Sequence, residues 1–167
     1  MTFELGDIVL YGLNGVCRIK EIQEREQGPY YILSPVHKPR TTLMVPMNNE
    51  TLVGRMRYVP AAEEVEKSIE KAMADKPEWI NDAPTRKEHA KDVLTNGSAY
   101  DLLMLCRSFY QHKEYVLSCG KKSTSSDASI LRSVQERIRD EFSIVFGIEP
   151  SEVDDFLWNK PKESESK

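Results

Sequence analysis

The side chains that could carry out catalysis are few and scattered along this sequence. Its three histidines and three cysteines are far apart: His37, His89, His112, Cys17, Cys106 and Cys119. Cys106 and His112 lie six residues apart, a spacing that does not place a nucleophile and its base on one helix face. The sequence has no glycine-rich phosphate loop, no nucleophile elbow and no CxxC pair. It therefore predicts a protein that is not an enzyme and that holds no cofactor or metal.

Trp79 is the residue whose position points to binding. It lies between Pro77 and Pro84, outside any helical periodicity. An aromatic side chain here either fills the core between two elements or is presented to a partner, and apolar wedges that enter the DNA minor groove are one known use. Basic residues follow it at positions 86, 87 and 91, and Lys121 and Lys122 form a second small basic cluster.

The composition excludes several classes of protein. The 167 residues are 40% apolar and 30% charged, which is typical of a soluble globular chain with one or two small domains. No apolar run approaches the roughly 18 residues of a membrane span, and the N-terminus does not resemble a secretory signal. We expect a cytoplasmic protein whose cysteines are reduced and buried. The net charge of −4 argues against binding nucleic acid chiefly through bulk charge.

Residues 1–60 have the pattern of short β-strands separated by turns that contain Gly12, Gly15 and Gly28. The expected strands are Ile8–Tyr11, Val16–Ile22, Tyr30–Leu33, Thr41–Val45 and Arg55–Val59. Short strands at this spacing predict a small, strongly bent sheet or barrel.

After Pro60 the periodicity becomes helical. An amphipathic helix is expected over residues 61–75, followed by a break that contains the two prolines. Later helices are predicted to begin at a capping box at Thr85, at a second capping box at Ser98, at Asp127 and at Pro150, with Gly147 ending the longest. Residues 61–167 hold 16 Lys and Arg against 21 Asp and Glu, so this half has a net charge of −5. Residues 161–167 form a polar tail.

Several motifs resemble the CarD/CdnL family of bacterial transcription regulators. They are FELGDIVLY at residues 3–11, NGV at 14–16, YYIL at 30–33 and MVP at 44–46. The second half adds Trp79, the basic stretch after it, the turn at residues 96–98 and a long helix with Glu141. Gly12 stands where the family usually has proline, and Met44 stands where some members have a second polymerase-contacting arginine.

The resemblance implies an α+β fold with two domains. A Tudor-like small β-barrel over residues 1–60 would bind the β subunit of RNA polymerase by strand pairing, and an all-helical domain over residues 61–160 would contact promoter DNA. The polymerase contacts implied on the barrel are Arg25, Gln27, Thr42, Leu43, Met44 and Val45.

The resemblance assigns the DNA contact to four residues: Trp79, Arg86, Lys87 and Lys91. The tryptophan would wedge into the minor groove at the upstream edge of the transcription bubble and slow its collapse, so that the open complex lasts longer. The implied protein is a monomeric regulator that reaches the nucleoid through polymerase, and its contact with DNA is weak and polymerase-dependent.

Two other functions fit these residues. The acidic helical half favours an adaptor that docks on polymerase and binds another protein rather than DNA. A small enzyme would need a cleft that contains ionisable groups with perturbed pKa values.

Overall fold

The structure, a computed structural model, describes residues 2–158 and divides the chain into two compact units, Met1–Pro60 and Ala61–Lys167. Each unit has its own hydrophobic core. The first unit is built around an antiparallel sheet and the second is helical, which confirms the predicted α+β fold class. The predicted polar tail at 161–167 and the last two residues of the predicted helical domain lie outside the described residues.

Five strands form the sheet of the first unit: β1 (Ile8–Tyr11), β2 (Val16–Arg25), β3 (Gly28–Pro35), β4 (Leu43–Pro46) and β5 (Met56–Tyr58). Their spatial order is β4-β3-β2-β1-β5, so β4 and β5 are its edges within the described chain. All five predicted strands are present. The strands β2 and β3 are longer than predicted because their pairing continues to Arg25 and Gly28 at the hairpin. A short helix, α1 (Glu50–Val53), was not predicted.

The segment before β1 is fixed to the sheet by backbone hydrogen bonds. Gly6 has a φ of +89°, a conformation that favours glycine, and its N–H donates to the Ile19 carbonyl at 2.7 Å. The Asp7 carboxylate accepts a backbone N–H of the same turn at 2.8 Å. The Phe3 ring is buried, with its centroid 6.0 Å from that of Tyr31. The Phe-x-x-Gly-Asp pattern is therefore a structural motif that attaches the N-terminus to β2 and β3.

Four helices form most of the second unit: α2 (Ala62–Ala74), α3 (Ala83–Asn96), α4 (Ala99–Ser118) and α5 (Ser125–Phe146). A 3-10 turn at Pro150–Glu152 and a helical stretch over residues 153–158 follow. The helices meet in one apolar cluster whose fully buried members include Leu103, Val134 and Phe142. Gly147, with a φ of +65°, ends α5 as predicted. None of the helices in the described part of the chain has the length and apolar character needed to cross a membrane.

The predicted start of α4 is confirmed, whereas the predicted start of α3 is wrong. At α4, Ser98 and Asp101 form a reciprocal capping box. At α3 the N-cap is Asp82, whose carboxylate accepts the Thr85 N–H at 3.1 Å. Pro84 lies in the first turn of the helix rather than in a break, because the first-turn N–H groups have no helical partner to lose.

Candidate functional site

The strand β4 presents an unpaired backbone edge in the first unit. Its ladder partner in the described structure is β3 alone. The Met47 N–H donates to the Pro29 carbonyl at 2.9 Å. Because hydrogen-bonded pairs alternate along an antiparallel ladder, Val45 directs its backbone groups toward β3 and Met44 directs its own outward. The next outward position is Pro46, which has no N–H to leave unpaired.

The side chains of β4 differ in what they can contact. Met44 is 42% exposed, whereas Val45 is fully buried in the core. Leu43 is half-buried, and Thr42 just before the strand is exposed and accepts a hydrogen bond from Lys20 Nζ at 3.4 Å. The Val45 side chain therefore supports the sheet and is not accessible to a partner, although it was predicted among the binding residues.

Polar side chains form a cluster at the β2–β3 hairpin, which we call the hairpin cluster: Gln23, Arg25, Gln27 and Tyr30. Arg25 Nη2 donates to Gln23 Oε1 at 2.8 Å, and the Tyr30 hydroxyl donates to Gln27 Oε1 at 3.2 Å. The Arg25 guanidinium carbon lies 6.0 Å from the centroid of the Tyr30 ring. Tyr30 faces Pro46 in the ladder, so the hairpin cluster adjoins the free edge of β4.

Trp79 lies half-buried in the segment between α2 and α3. Its ring stacks on the His112 ring, with centroids 3.7 Å apart and planes at 5°. It meets Phe109 edge to face at 5.0 Å, and the Arg86 guanidinium carbon lies 4.6 Å from its centroid. A cavity of about 490 Å³ opens beside these residues. The indole is held by three side chains and still keeps exposed surface.

Arg86 is buried, with 8% of its surface exposed. Its Nε and Nη2 donate to the two carboxylate oxygens of Asp127 at 3.0 and 3.2 Å. Its Nη1 donates to the carbonyls of Ile80 and Asn81 at 3.0 and 3.1 Å. Arg86 therefore joins α3, α5 and the segment that carries Trp79. Arg86 is predicted among the DNA contacts, and nothing in its local sequence pattern reveals a partner 41 residues away.

Lys87 and Lys91 are exposed on α3, one helical turn apart. Two of the three predicted basic residues are thus accessible to solvent, and each has an acidic neighbour in sequence, Glu88 or Asp92. His112 could not be found from the sequence, because its contact with Trp79 exists only once α4 packs beside the segment that carries Trp79.

The cysteines do not form a catalytic arrangement. Cys17 and Cys106 are buried as predicted, whereas Cys119 is exposed because it lies in the turn that ends α4. Burial raises the pKa of the Cys106 thiol to about 12, with a smaller contribution from Asp154, so this thiol is protonated at neutral pH. Across residues 2–158, no three His, Cys, Asp or Glu side chains converge in a way that could hold a metal ion.

The first unit of the chain is similar to a known family of protein domains. Residues 3–59 match the family model described as CarD-like/TRCF RID domain. A search of curated proteins gives no match to the chain. The matched segment contains all five strands and ends before α2, so it includes the free β4 edge and the hairpin cluster.

We expect Arg86→Ala to lower the free energy of unfolding by about 3–5 kcal/mol, because it leaves the Asp127 carboxylate buried without its partner. Urea unfolding followed by circular dichroism measures the change. The double variant Arg86→Met/Asp127→Leu should regain most of the loss, since both charges are then absent. Lys87→Ala, an exposed neighbour, is the control and should stay within about 0.5 kcal/mol of wild type. A loss below about 1 kcal/mol for Arg86→Ala would contradict the structural role of the ion pair.

Proposed function

We propose that this protein is a transcription regulator that docks on the β subunit of RNA polymerase, because its residues 3–59 match the family model described as CarD-like/TRCF RID domain. The family is one of RNA polymerase-interacting domains. The observation that carries the proposal is the free edge of β4 within the matched segment. An edge strand with outward N–H and C=O groups can accept a strand of another protein by β-augmentation.

In the docked state the partner strand pairs with the outward backbone groups of Met44. The accessible side chains of Thr42, Leu43 and Met44 contact the same strand. Arg25 and Gln27 of the hairpin cluster contact the partner beside it. Backbone pairing supplies affinity without selecting side chains, whereas the Arg25 charge supplies orientation and speeds association.

We expect Met44→Pro to lower the affinity for the β-subunit lobe by about tenfold or more. The substitution removes the outward N–H of residue 44 and places a ring where the partner strand would lie. The pairing with β3 should survive, since that N–H does not take part in it. Biolayer interferometry with the purified lobe measures affinity, and circular dichroism checks the fold. Met44→Leu keeps the backbone donor and is the matched control. Wild-type affinity in Met44→Pro would exclude strand pairing at β4.

We expect Arg25→Glu to weaken the same interaction by about tenfold, with most of the change in the association rate, because the substitution reverses the charge beside β4. The control is Lys67→Glu, which makes the same charge change on the exposed surface of α2. If Arg25→Glu and Lys67→Glu bind equally well, the hairpin cluster is not part of the docking surface.

The second part of the proposal assigns promoter contact to the helical unit. Trp79 keeps exposed surface while His112, Phe109 and Arg86 hold its ring, so little conformational entropy is lost when it inserts at a distorted base step. Lys87 and Lys91 are exposed and can reach phosphates. A wedge that binds the open promoter better than the closed promoter shifts the equilibrium toward the open state by that difference alone.

We expect the wild-type protein to lengthen the lifetime of the open complex on a ribosomal-type promoter by roughly threefold, which requires less than about 1 kcal/mol of differential binding. Trp79→Ala should abolish the effect and leave the affinity for polymerase unchanged. Trp158→Phe, which alters the other tryptophan, is the control. An equal lengthening by Trp79→Ala and wild type would exclude the wedge.

One observation favours a second candidate function. Arg86 forms an ion pair with Asp127 and is therefore not available to a phosphate, and residues 61–167 have a net charge of −5. These features suit an adaptor that docks on polymerase and uses its helical unit to bind a protein. In that case Trp79→Ala changes neither polymerase binding nor the open-complex lifetime, and wild type has no effect on the lifetime either.

A further inference from the structure

A row of aromatic rings leads from the core of the helical unit into solvent, and we call it the aromatic row: Phe109, Trp79, His112 and Tyr115. Successive ring centroids are 5.0, 3.7 and 6.2 Å apart. Phe109 is buried, Trp79 and His112 are half-buried, and Tyr115 is 64% exposed. The row therefore continues two rings beyond the proposed wedge, Trp79, and ends on an accessible aromatic face.

The end of α4 that carries this ring adds no buried residue to the core. Residues 110–118 of α4 are all exposed or half-buried. Two further exposed apolar residues, Tyr110 and Leu117, are seven residues apart and lie on a different face of the helix from Tyr115. Tyr115 is thus an isolated aromatic platform and not part of a continuous apolar groove of the kind that receives a helix of another protein.

Lysines outnumber acidic residues in the segment that carries the exposed end of the aromatic row. Residues 110–124 contain three lysines and a single acidic residue, Glu114. Lys121 and Lys122 are exposed, and the Lys121 N–H donates to the Val116 carbonyl at 2.8 Å, which places this turn against the residue after Tyr115. The net charge of residues 110–124 is therefore opposite in sign to that of the helical unit as a whole and suits contact with a phosphate backbone.

We propose that the exposed end of the aromatic row is a binding site for an unpaired DNA base, with Tyr115 as its stacking platform and Lys121 and Lys122 as its phosphate contacts. This inference rests on the proposed promoter contact, in which Trp79 stands at the junction between duplex and melted DNA. A base that has left the duplex exposes its face, and stacking on an aromatic ring accepts any base. The site thus holds a base of the melted strand next to the wedge.

The test uses the full chain with polymerase on a promoter that carries a pre-melted bubble. The probe is 2-aminopurine at the unpaired positions nearest the upstream edge, whose fluorescence falls when it stacks. We expect wild type to quench the probe. Tyr115→Ala should raise the concentration for half-maximal quenching about five- to tenfold, whereas Tyr115→Phe keeps the ring and should behave as wild type. Tyr110→Ala, an exposed tyrosine on another face, is the matched control.

Two further measurements separate the possible outcomes. Lys121→Gln/Lys122→Gln should lower the slope of log affinity against log salt by about 1.4, as expected for two contacts with single-stranded phosphates. Equal quenching by Tyr115→Ala and wild type would overturn the inference while leaving the promoter contact in place, provided that Trp79→Ala still shortens the open-complex lifetime. If wild type binds polymerase but neither quenches the probe nor lengthens that lifetime, both proposals fail. Loss of polymerase affinity in Tyr115→Ala would assign the ring to a protein contact and would also overturn the inference.

Discussion

The buried ion pair between Arg86 and Asp127 is the interaction on which the helical unit depends. It joins α3 to α5, and its remaining nitrogen holds the carbonyls of Ile80 and Asn81, immediately after Trp79. Removing two charges from water is costly, and the pair is tolerated because each guanidinium nitrogen has an acceptor. An apolar pair of similar volume could stabilise the bundle as well, but it would not hold these two carbonyls. The ion pair thus fixes the position of one indole, which is what a preorganised binding side chain requires.

The sheet unit has an exposed edge strand, and such an edge can pair with other chains and cause aggregation. The strand β4 has four residues, and Pro46 occupies one of its outward positions. A short strand that contains proline offers few donors to an arbitrary strand, which is how natural sheets limit unwanted pairing. The outward groups of Met44 remain available, and in the proposed docking the Arg25 charge of the hairpin cluster beside them selects the partner. The edge therefore offers few hydrogen-bonding groups to an arbitrary strand, but it keeps those of Met44 exposed for a specific partner strand.

The sequence was sufficient to predict most elements and insufficient to predict the contacts between them. Period-2 and helical periodicities, the Ser98 cap and Gly147 are local signals, and they located the strands and most helix ends. The prediction for Pro84 is wrong because proline in the first turn of a helix and proline in a break give similar local patterns, and only the Asp82 cap distinguishes them. The Arg86–Asp127 pair and the Trp79–His112 stack join positions 41 and 33 residues apart. Only the packing of α3, α4 and α5 brings these residues together.

The acidic charge of the helical unit is compatible with the proposed promoter contact. A net charge of −5 over residues 61–167 repels DNA at a distance, so free protein gains little from nonspecific binding. The proposed docking through β4 would remove the need for that gain, because a tethered unit meets the promoter at a high effective concentration. The exposed lysines of α3 and of the turn after α4 then act over a short range, where bulk repulsion is screened. In the proposed function, an acidic unit with two small basic surfaces would therefore contact DNA only at promoters that polymerase has already engaged.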